Sequence, residues 1–336
     1  ETLLCFVFSF FIYFNYKKIS EIINVYDIPD QNLKKHSIKT PVSAGILNLI
    51  AFTCFFLFTF NFSEIFFYPF ILIIYTAFGF VDDKYNLNPY LKLFITTLIV
   101  ALLIYFENNL IIETLKFDLN NYVLNLGLFS LPFTVLCILL LTHSLNMMDG
   151  INGYSAIYKI SIMITFILYI TSSLNDYPRG SDLYIDLIWL LNISILYLFL
   201  LSLFIFLNYR GLIFFGDGGI YFGALIISYI LIKLNKILPT FTPEAIFIIL
   251  ILPGIDMLRL FILRIYKRRN PFKGDLNHFH HIFKSKYPRI NIVFPILITH
   301  LLINSVIFYQ NKLFLPVLLV YLILFFLIVS IKNEIN

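Results

Sequence analysis

The chain has 336 residues, of which 60% are hydrophobic and only 13% charged, and its mean hydropathy is +0.88. Soluble domains carry about 25% charged residues, so a soluble globular protein is excluded; the formal net charge of +5 reads as cations flanking membrane spans, not as a nucleic-acid footprint. Cys5, Cys54 and Cys137 all lie in apolar runs, which gives neither a disulfide framework nor a cysteine metal site.

Apolar runs long enough to cross the hydrocarbon core, roughly 17–25 residues, recur from one end to the other. They predict eleven spans, at roughly 2–16, 44–62, 65–81, 90–106, 131–145, 155–173, 185–207, 218–233, 244–265, 292–309 and 313–331. The runs are solid rather than alternating, which disfavours a barrel. Lipid offers no partner to a free backbone group. The expected fold is therefore all-α, a polytopic transmembrane bundle of 10–11 spans made by residues 1–336 as one domain. The chain begins at Glu1 rather than Met, so the first span is expected to be short of its start and is not read as a signal peptide.

With loop 17–43 inside and strict alternation, the inside segments are 17–43, 82–92, 146–159, 208–217, 259–291 and the C-terminus; they hold 19 of the 24 Lys and Arg, as the positive-inside rule requires. Loop 107–130 is then outside, on the periplasmic face. Its alternating pattern around Asn120–Asn121 predicts a short structural hairpin.

Four polar motifs fall on the inside face. Val81-Asp82-Asp83-Lys84 closes the third span. Adjacent carboxylates repel there, at the end of a helix that disfavours negative charge. A divalent cation or a bound lysine would relieve this, and a solvated loop start is the plainer explanation. Asn146, Asp149 and Asn152 lie three apart in Asn146–Gly153 and would share one face on a helical turn; a polar turn between spans is the alternative. Phe214-Phe215-Gly216-Asp217-Gly218-Gly219 leads into an apolar helix. Glycines free backbone N–H groups there to face a phosphate, although an Asp at a helix start is also an ordinary N-cap.

The fourth motif is the most polar stretch of the chain. Asp256 and Arg259 lie inside the ninth apolar run, where a charge costs about 2.5–3.5 kcal/mol, unless the two simply pair at i,i+3. Lys267, Arg268, Arg269, Lys273, Asp275, His278, His280 and His281 follow. With no cysteine near and many carboxylates available, phosphate is favoured over zinc as the ligand of these histidines. His143 and His300 stand alone in spans and read as packed or hydrogen-bonded helix residues. In the first loop, positive-inside anchoring accounts for Lys34, Lys35, His36 and Lys39 but not for the flanking Asp27-Ile28-Pro29 and Thr40-Pro41.

Together these motifs place Asp82, Asp83, Asp149, Asp217, Asp256 and Asp275 with several cations on one face. Hard carboxylates suit Mg²⁺ or Mn²⁺, and such an ion beside Lys, Arg and His is the equipment for cleaving a pyrophosphate. A lipid-linked oligosaccharide flippase or another transporter, with charges deep along several spans around a cavity, and a scaffold subunit are the competing classes.

Val81-Asp82-Asp83, Asn146–Gly153, Phe214–Gly219 and Asp275–His281, in this order and with the first inside loop, make the chain resemble the polyprenyl-phosphate N-acetylhexosamine-1-phosphate transferases over nearly its whole length. The resemblance implies transfer of a HexNAc-1-phosphate, foremost GlcNAc-1-phosphate, from a UDP-HexNAc to undecaprenyl phosphate, with release of UMP. It implies a multi-pass protein of the bacterial inner membrane whose site faces the cytoplasm. Membrane lipid is then the other partner, with no nucleic acid and with a homodimer as the assembly to consider. It makes Asp217 the principal Mg²⁺ ligand and Asp149 a second metal-site residue. Asp82 and Asp83 would meet the metal or the acceptor phosphate, one of them as a base. Asn146, Asp149 and Asn152 would line the nucleotide site, and Phe214 would stack on uracil. His278, His280 and His281 would bind the pyrophosphate or sugar phosphate, with Lys39 and Lys84 in support. The spaced His-Phe-His-His resembles the branch that starts O-antigen, teichoic-acid or capsule glycans. Ile220, Ala44, Asn152 and Asn208 depart from the usual pattern, which bears on the sugar more than on the reaction.

Overall fold

The computed structural model describes residues 2–29, 39–59, 67–118, 121–270 and 277–330. Lys34, Lys35, His36, Asn120, Lys273 and Asp275 lie outside these residues, as do the predicted span ends at 60–62, 65–66 and 331. The helices run in chain order as α1 (Thr2–Phe14), α2 (Tyr16–Ile23), α3 (Ala44–Thr59), α4 (Phe67–Tyr85), α5 (Pro89–Phe106), α6 (Ser130–Met148) and α7 (Tyr154–Ser173), then α8 (Asp182–Asn208), α9 (Gly216–Ile237), α10 (Pro243–Ile249), α11 (Ile251–Tyr266), α12 (Phe279–Lys286), α13 (Val293–Tyr309) and α14 (Phe314–Ser330). Every predicted apolar run is helical. Among the described residues, five helices are long and apolar enough to cross a membrane, or up to seven if each of two bent pairs is one span, and α3, α13 and α14 are shorter apolar helices. The chain is an all-α integral membrane protein.

The ninth run, read as continuous, is broken by 73° between α10 and α11, and the first run ends in a bend of 65°, beyond which the predicted loop 17–43 begins as the helix α2. Pro253 lies in the first turn of α11, where a missing N–H costs nothing. A break inside lipid must still satisfy the carbonyls it frees. The Ile249 carbonyl accepts from Tyr158 Oη at 2.6 Å and from His300 Nε2 at 2.9 Å. His300 therefore holds the broken helix, in keeping with its reading as a hydrogen-bonded helix residue. A carbonyl can only accept, so Nε2 carries the proton.

Helix α9 is the centre of the bundle, with its face buried from Gly218 to Leu234. It packs on α4, α3 and α6, and backbones touch where small residues meet. A Cβ at Gly79 of α4 would stand 2.5 Å from the Gly218 Cα, and one at Gly45 of α3 2.5 Å from the Gly219 nitrogen. Small residues permit this approach between membrane helices. Along the same seam Tyr75 stacks on Tyr221 with ring centres 4.9 Å apart, and Tyr68 lies 4.4 Å from Tyr229. The end of α4 that carries the aspartates is thereby fixed beside the start of α9.

Four short strands complete the described residues. Strands β1 (Tyr26–Asp27) and β2 (Thr40–Pro41) pair across the first loop, Tyr26 opposite Pro41. Strands β3 (Thr114–Lys116) and β4 (Val123–Asn125) form the predicted hairpin, Leu115 opposite Leu124. Asn121 takes φ 52°, a turn conformation that Asn tolerates.

Candidate active site

Two of the predicted carboxylates, Asp82 and Asp217, meet around a lysine that the sequence reading did not select. Helix α4 continues past its apolar part to Tyr85 and carries Asp82 and Asp83 on its last turn. Asp82 Oδ1 accepts the Leu87 N–H at 2.9 Å and so tethers the α4–α5 turn. The Asn88 side chain caps α5 at the Tyr90 N–H, with Pro89 at the first helical position, the arrangement expected at a helix start. Lys92 lies one turn on. Its Nζ meets Asp82 Oδ2 at 2.5 Å and also pairs with Asp217 Oδ2. Asn146 Nδ2 donates to the other Asp217 oxygen. One ammonium thus lies between two carboxylates from helices far apart in sequence; of the adjacent pair Asp82 and Asp83, for which a bound lysine was expected, only Asp82 meets it. Lys92 stands ten residues past Asp82 at the head of an apolar run; its only signal was a charge inside a predicted span.

Asp83 has a different position. Its carboxylate accepts the backbone N–H of Asp217 at 2.8 Å and of Gly218 at 3.2 Å. It therefore caps α9 from another helix, and the amides expected to face a phosphate are occupied by Asp83. Gly216 makes the approach possible: its φ is +62°, and a Cβ there would lie 2.5 Å from Asp83 Oδ2.

The second motif does not present one helical face. Helix α6 ends at Met148 with Asp149 as its C-cap, and the three side chains diverge. Asn146 reaches Asp217, while Asn152 lies beside Gly211. Burial raises the Asp149 pKa to about 6, and the positive charge of Lys159 works against that rise. Lys159 is fully buried, with its ammonium 3.8 Å over the Phe215 ring. The Gly153 N–H donates to Asn208 Oδ1 at 2.6 Å, and Asn208 Nδ2 donates to the Ile213 carbonyl at 2.8 Å. Asn208 thereby ties the second motif to the segment entering Gly216.

Phe214 is half-buried and fixed through its backbone. Its N–H donates to the Pro41 carbonyl at 2.9 Å, and its carbonyl accepts from Ala44 at 3.4 Å. The first-loop ending Thr40-Pro41 so acquires a role, bracing the glycine motif. Phe215 turns inward and stacks on Phe204 at 3.7 Å. Lys84 is exposed beside the Tyr85 ring, and Lys39 lies 4.2 Å over Tyr26. The lysine that meets Asp82 and Asp217 is Lys92 rather than either of these.

The histidines begin a short helix. His278 is the N-cap of α12, and His280 and His281 lie in its first turn. A Cβ at Gly150 would crowd His280 Nε2 and stand 2.9 Å from His281 Nε2, so both rings lie over Gly150, four residues from Asn146. His280 is 1% exposed. Burial, with His281 and His278 adding to it, holds its pKa well below the ordinary histidine value, so the ring is neutral at pH 7.

Two carboxylates bridged by a cation, an amide donor and the glycines of a helix start form one polar cluster at the end of an apolar bundle, and the histidines lie over Gly150, four residues past the amide donor. The sequence pattern that defines glycosyl transferase family 4 matches residues 65–235, half of the chain. The chain belongs to that family. The family-4 segment runs from α4 into α9 and carries Asp82, Asp83, Lys92, Asn146, Asp149, Asn152, Phe214 and Asp217. The chain is also similar to the undecaprenyl-phosphate alpha-N-acetylglucosaminyl 1-phosphate transferase of Haemophilus influenzae, 25% identical over 269 residues, 79% of this chain and 73% of that protein. A protein of the same name from Pasteurella multocida is 26% identical over 269 residues, with the same coverage.

Among the described residues, no group of three or more His, Cys, Asp or Glu side chains is placed to hold a metal ion. The donor chemistry of this family-4 site nevertheless fits Mg²⁺. That ion takes one or two carboxylates and completes its octahedron with water and substrate phosphate rather than an all-protein cage. Asp82 and Asp217, which now share the Lys92 ammonium, supply such a pair.

Proposed function

We propose that this family-4 protein transfers a HexNAc-1-phosphate, foremost GlcNAc-1-phosphate, from its UDP-sugar to undecaprenyl phosphate. In the reaction an oxygen of the lipid phosphate attacks the sugar-linked phosphorus and the bond to the UMP oxygen breaks. The products are undecaprenyl-pyrophosphoryl-sugar and UMP, and the acceptor needs no strong base, because a phosphate monoester has a second pKa near 6. The observation that carries this reading is the meeting of Asp82, Asp217, Lys92 and Asn146 from four helices. The names of the two bacterial relatives point to the same acceptor and sugar phosphate.

Asp217, with Asp82 or Asp149, would hold Mg²⁺, which when bound neutralises diphosphate charge. Lys92 adds a positive charge for the phosphate oxygens, and His280 and His281, with His278 beside His280, lie over Gly150, where the sugar phosphate would rest. Asp83 holds the start of α9 and so fixes Asp217. Asn146 orients the Asp217 carboxylate, Asp149 and Asn152 border the nucleotide, and Phe214 offers uracil a stacking face. The catalytic contribution is then positioning and charge neutralisation. The site faces the cytoplasm at the inner membrane, where nucleotide sugars and the lipid phosphate meet, and the product begins a cell-surface glycan such as O-antigen. The test supplies purified protein with undecaprenyl phosphate, Mg²⁺ and a panel of UDP-sugars. UMP release with UDP-N-acetylglucosamine is expected, and silence with every UDP-HexNAc would refute the proposal.

A further inference from the structure

Asp256 and Arg259 are charged residues of α11 that the proposed reaction leaves without a part. They pair at i,i+3, with Arg259 Nη2 2.6 Å from Asp256 Oδ1. A pair alone would leave the second carboxylate oxygen unused. Instead Asp256 Oδ2 accepts the Phe279 backbone N–H at 3.0 Å and meets His278 Nδ1 at 3.1 Å. Arg259 Nη2 also donates to the Asn277 carbonyl at 2.6 Å. Asp256 is 7% exposed and His278 6%, so the bonds from Asp256 to His278 and Phe279 are shielded from water. Phe279 is the first residue of α12, and its N–H is one of the donors that a helix start leaves orphaned. Asp256 therefore caps α12 from another helix. A carboxylate bond at Nδ1 also fixes the tautomer and leaves Nε2 as the nitrogen that can meet a ligand, the way outer partners orient functional histidines.

We propose that Asp256 and Arg259 are positioning residues: together they clamp Asn277–Phe279 to α11, and so hold the His278 ring and, next to it, the His280 and His281 rings that lie over Gly150. The inference rests on the proposed role of these histidines in the transfer. It also explains why two costly charges persist within an apolar helix that is bent at its start. The pair is neutral overall, and each member also bonds the histidine segment.

Two measurements on the full-length protein in detergent test it. The first is diethyl pyrocarbonate modification followed by mass spectrometry, which needs no activity. His278 is expected to react faster in Asp256→Asn than in wild type, while His300, bonded within the bundle, keeps its wild-type rate. An unchanged rate at His278 overturns the clamp. The second is a double-mutant cycle on UMP release. Asp256→Asn is expected to lower kcat about 10- to 100-fold, the usual cost of losing an orienting partner, with little change in KM. In a His278→Ala background it should add almost nothing. Full additivity overturns the clamp, because groups that act as one unit are non-additive. If wild type releases no UMP from any UDP-HexNAc, the proposed reaction fails, and the modification rates alone decide the clamp.

Discussion

Replacing Lys92 with methionine keeps the length of the side chain and deletes the charge between Asp82 and Asp217. Two oxygens bonded to one ammonium stand about 4.5 Å apart by hydrogen-bond geometry. At an effective dielectric of about 20, two unit charges at that distance repel by about 4 kcal/mol. The Lys92 and Asp217 side chains are 19% and 21% exposed, and screening of such partly open pairs brings the loss to roughly 2 kcal/mol. In EDTA the Lys92→Met protein should therefore unfold at a lower temperature than wild type. Mg²⁺ should restore it more than it stabilises wild type, because the vacated carboxylate pair is a site for a hard cation. Restored folding should not restore turnover. Loss of one charge-stabilising donor costs about 10²- to 10³-fold in kcat, and UMP release should fall by that amount at any Mg²⁺ concentration. The assay pairs thermal unfolding in detergent, with and without Mg²⁺, with UMP release. Equal unfolding temperatures in EDTA together with turnover within a few-fold of wild type would refute the argument.

Other substitutions separate the site from its scaffold. Asp217→Asn should fold and lose UMP release by about 10²-fold or more; near-normal turnover removes its assigned role. Gly150→Ala should depress kcat with little change in unfolding temperature, because its methyl group would push His280 and His281 aside on an exposed turn. Gly79→Ala should do the reverse. Its methyl group meets the backbone of Gly218, overpacking of this kind costs about 1–3 kcal/mol, and reduced yield and thermal stability of the purified protein report it. EDTA should abolish UMP release, and added Mg²⁺ should restore it; turnover that persists in EDTA would remove the metal from the account.

The helical bundle was legible because spanning segments must be both apolar and about 20 residues long, and those two constraints leave few alternatives. All eleven runs became helices for that reason. The breaks at Asn15 and Leu250 were not read from the sequence. Asn15 ahead of Lys17-Lys18, and Pro253-Gly254 after Leu250, were their traces, and the partners that stabilise the second break, Tyr158 and His300, lie far away in sequence. The aspartates of the site were legible as charges that cost too much to keep without a use. Their partners were harder to assign. Lys84 and Lys92 flank the same turn, and only the course of α5 shows that Lys92 points back at Asp82. Asp83 is indistinguishable from Asp82 in sequence, yet it lies one helical position on and meets the start of α9 instead of the lysine. The spacing of Asn146, Asp149 and Asn152 suggested a shared face, but α6 ends at Met148 ahead of Gly150 and Gly153, so the periodicity was accidental.

The most direct measurement of the central claim is the fate of the β-phosphate. UDP-N-acetylglucosamine labelled there is incubated with Mg²⁺, undecaprenyl phosphate and the purified protein in liposomes. The account predicts that the label enters the lipid fraction, one equivalent for each UMP formed, and that Asp217→Asn abolishes both. Label that stays in the aqueous phase as UDP while the sugar moves, or that never leaves the donor, would contradict it.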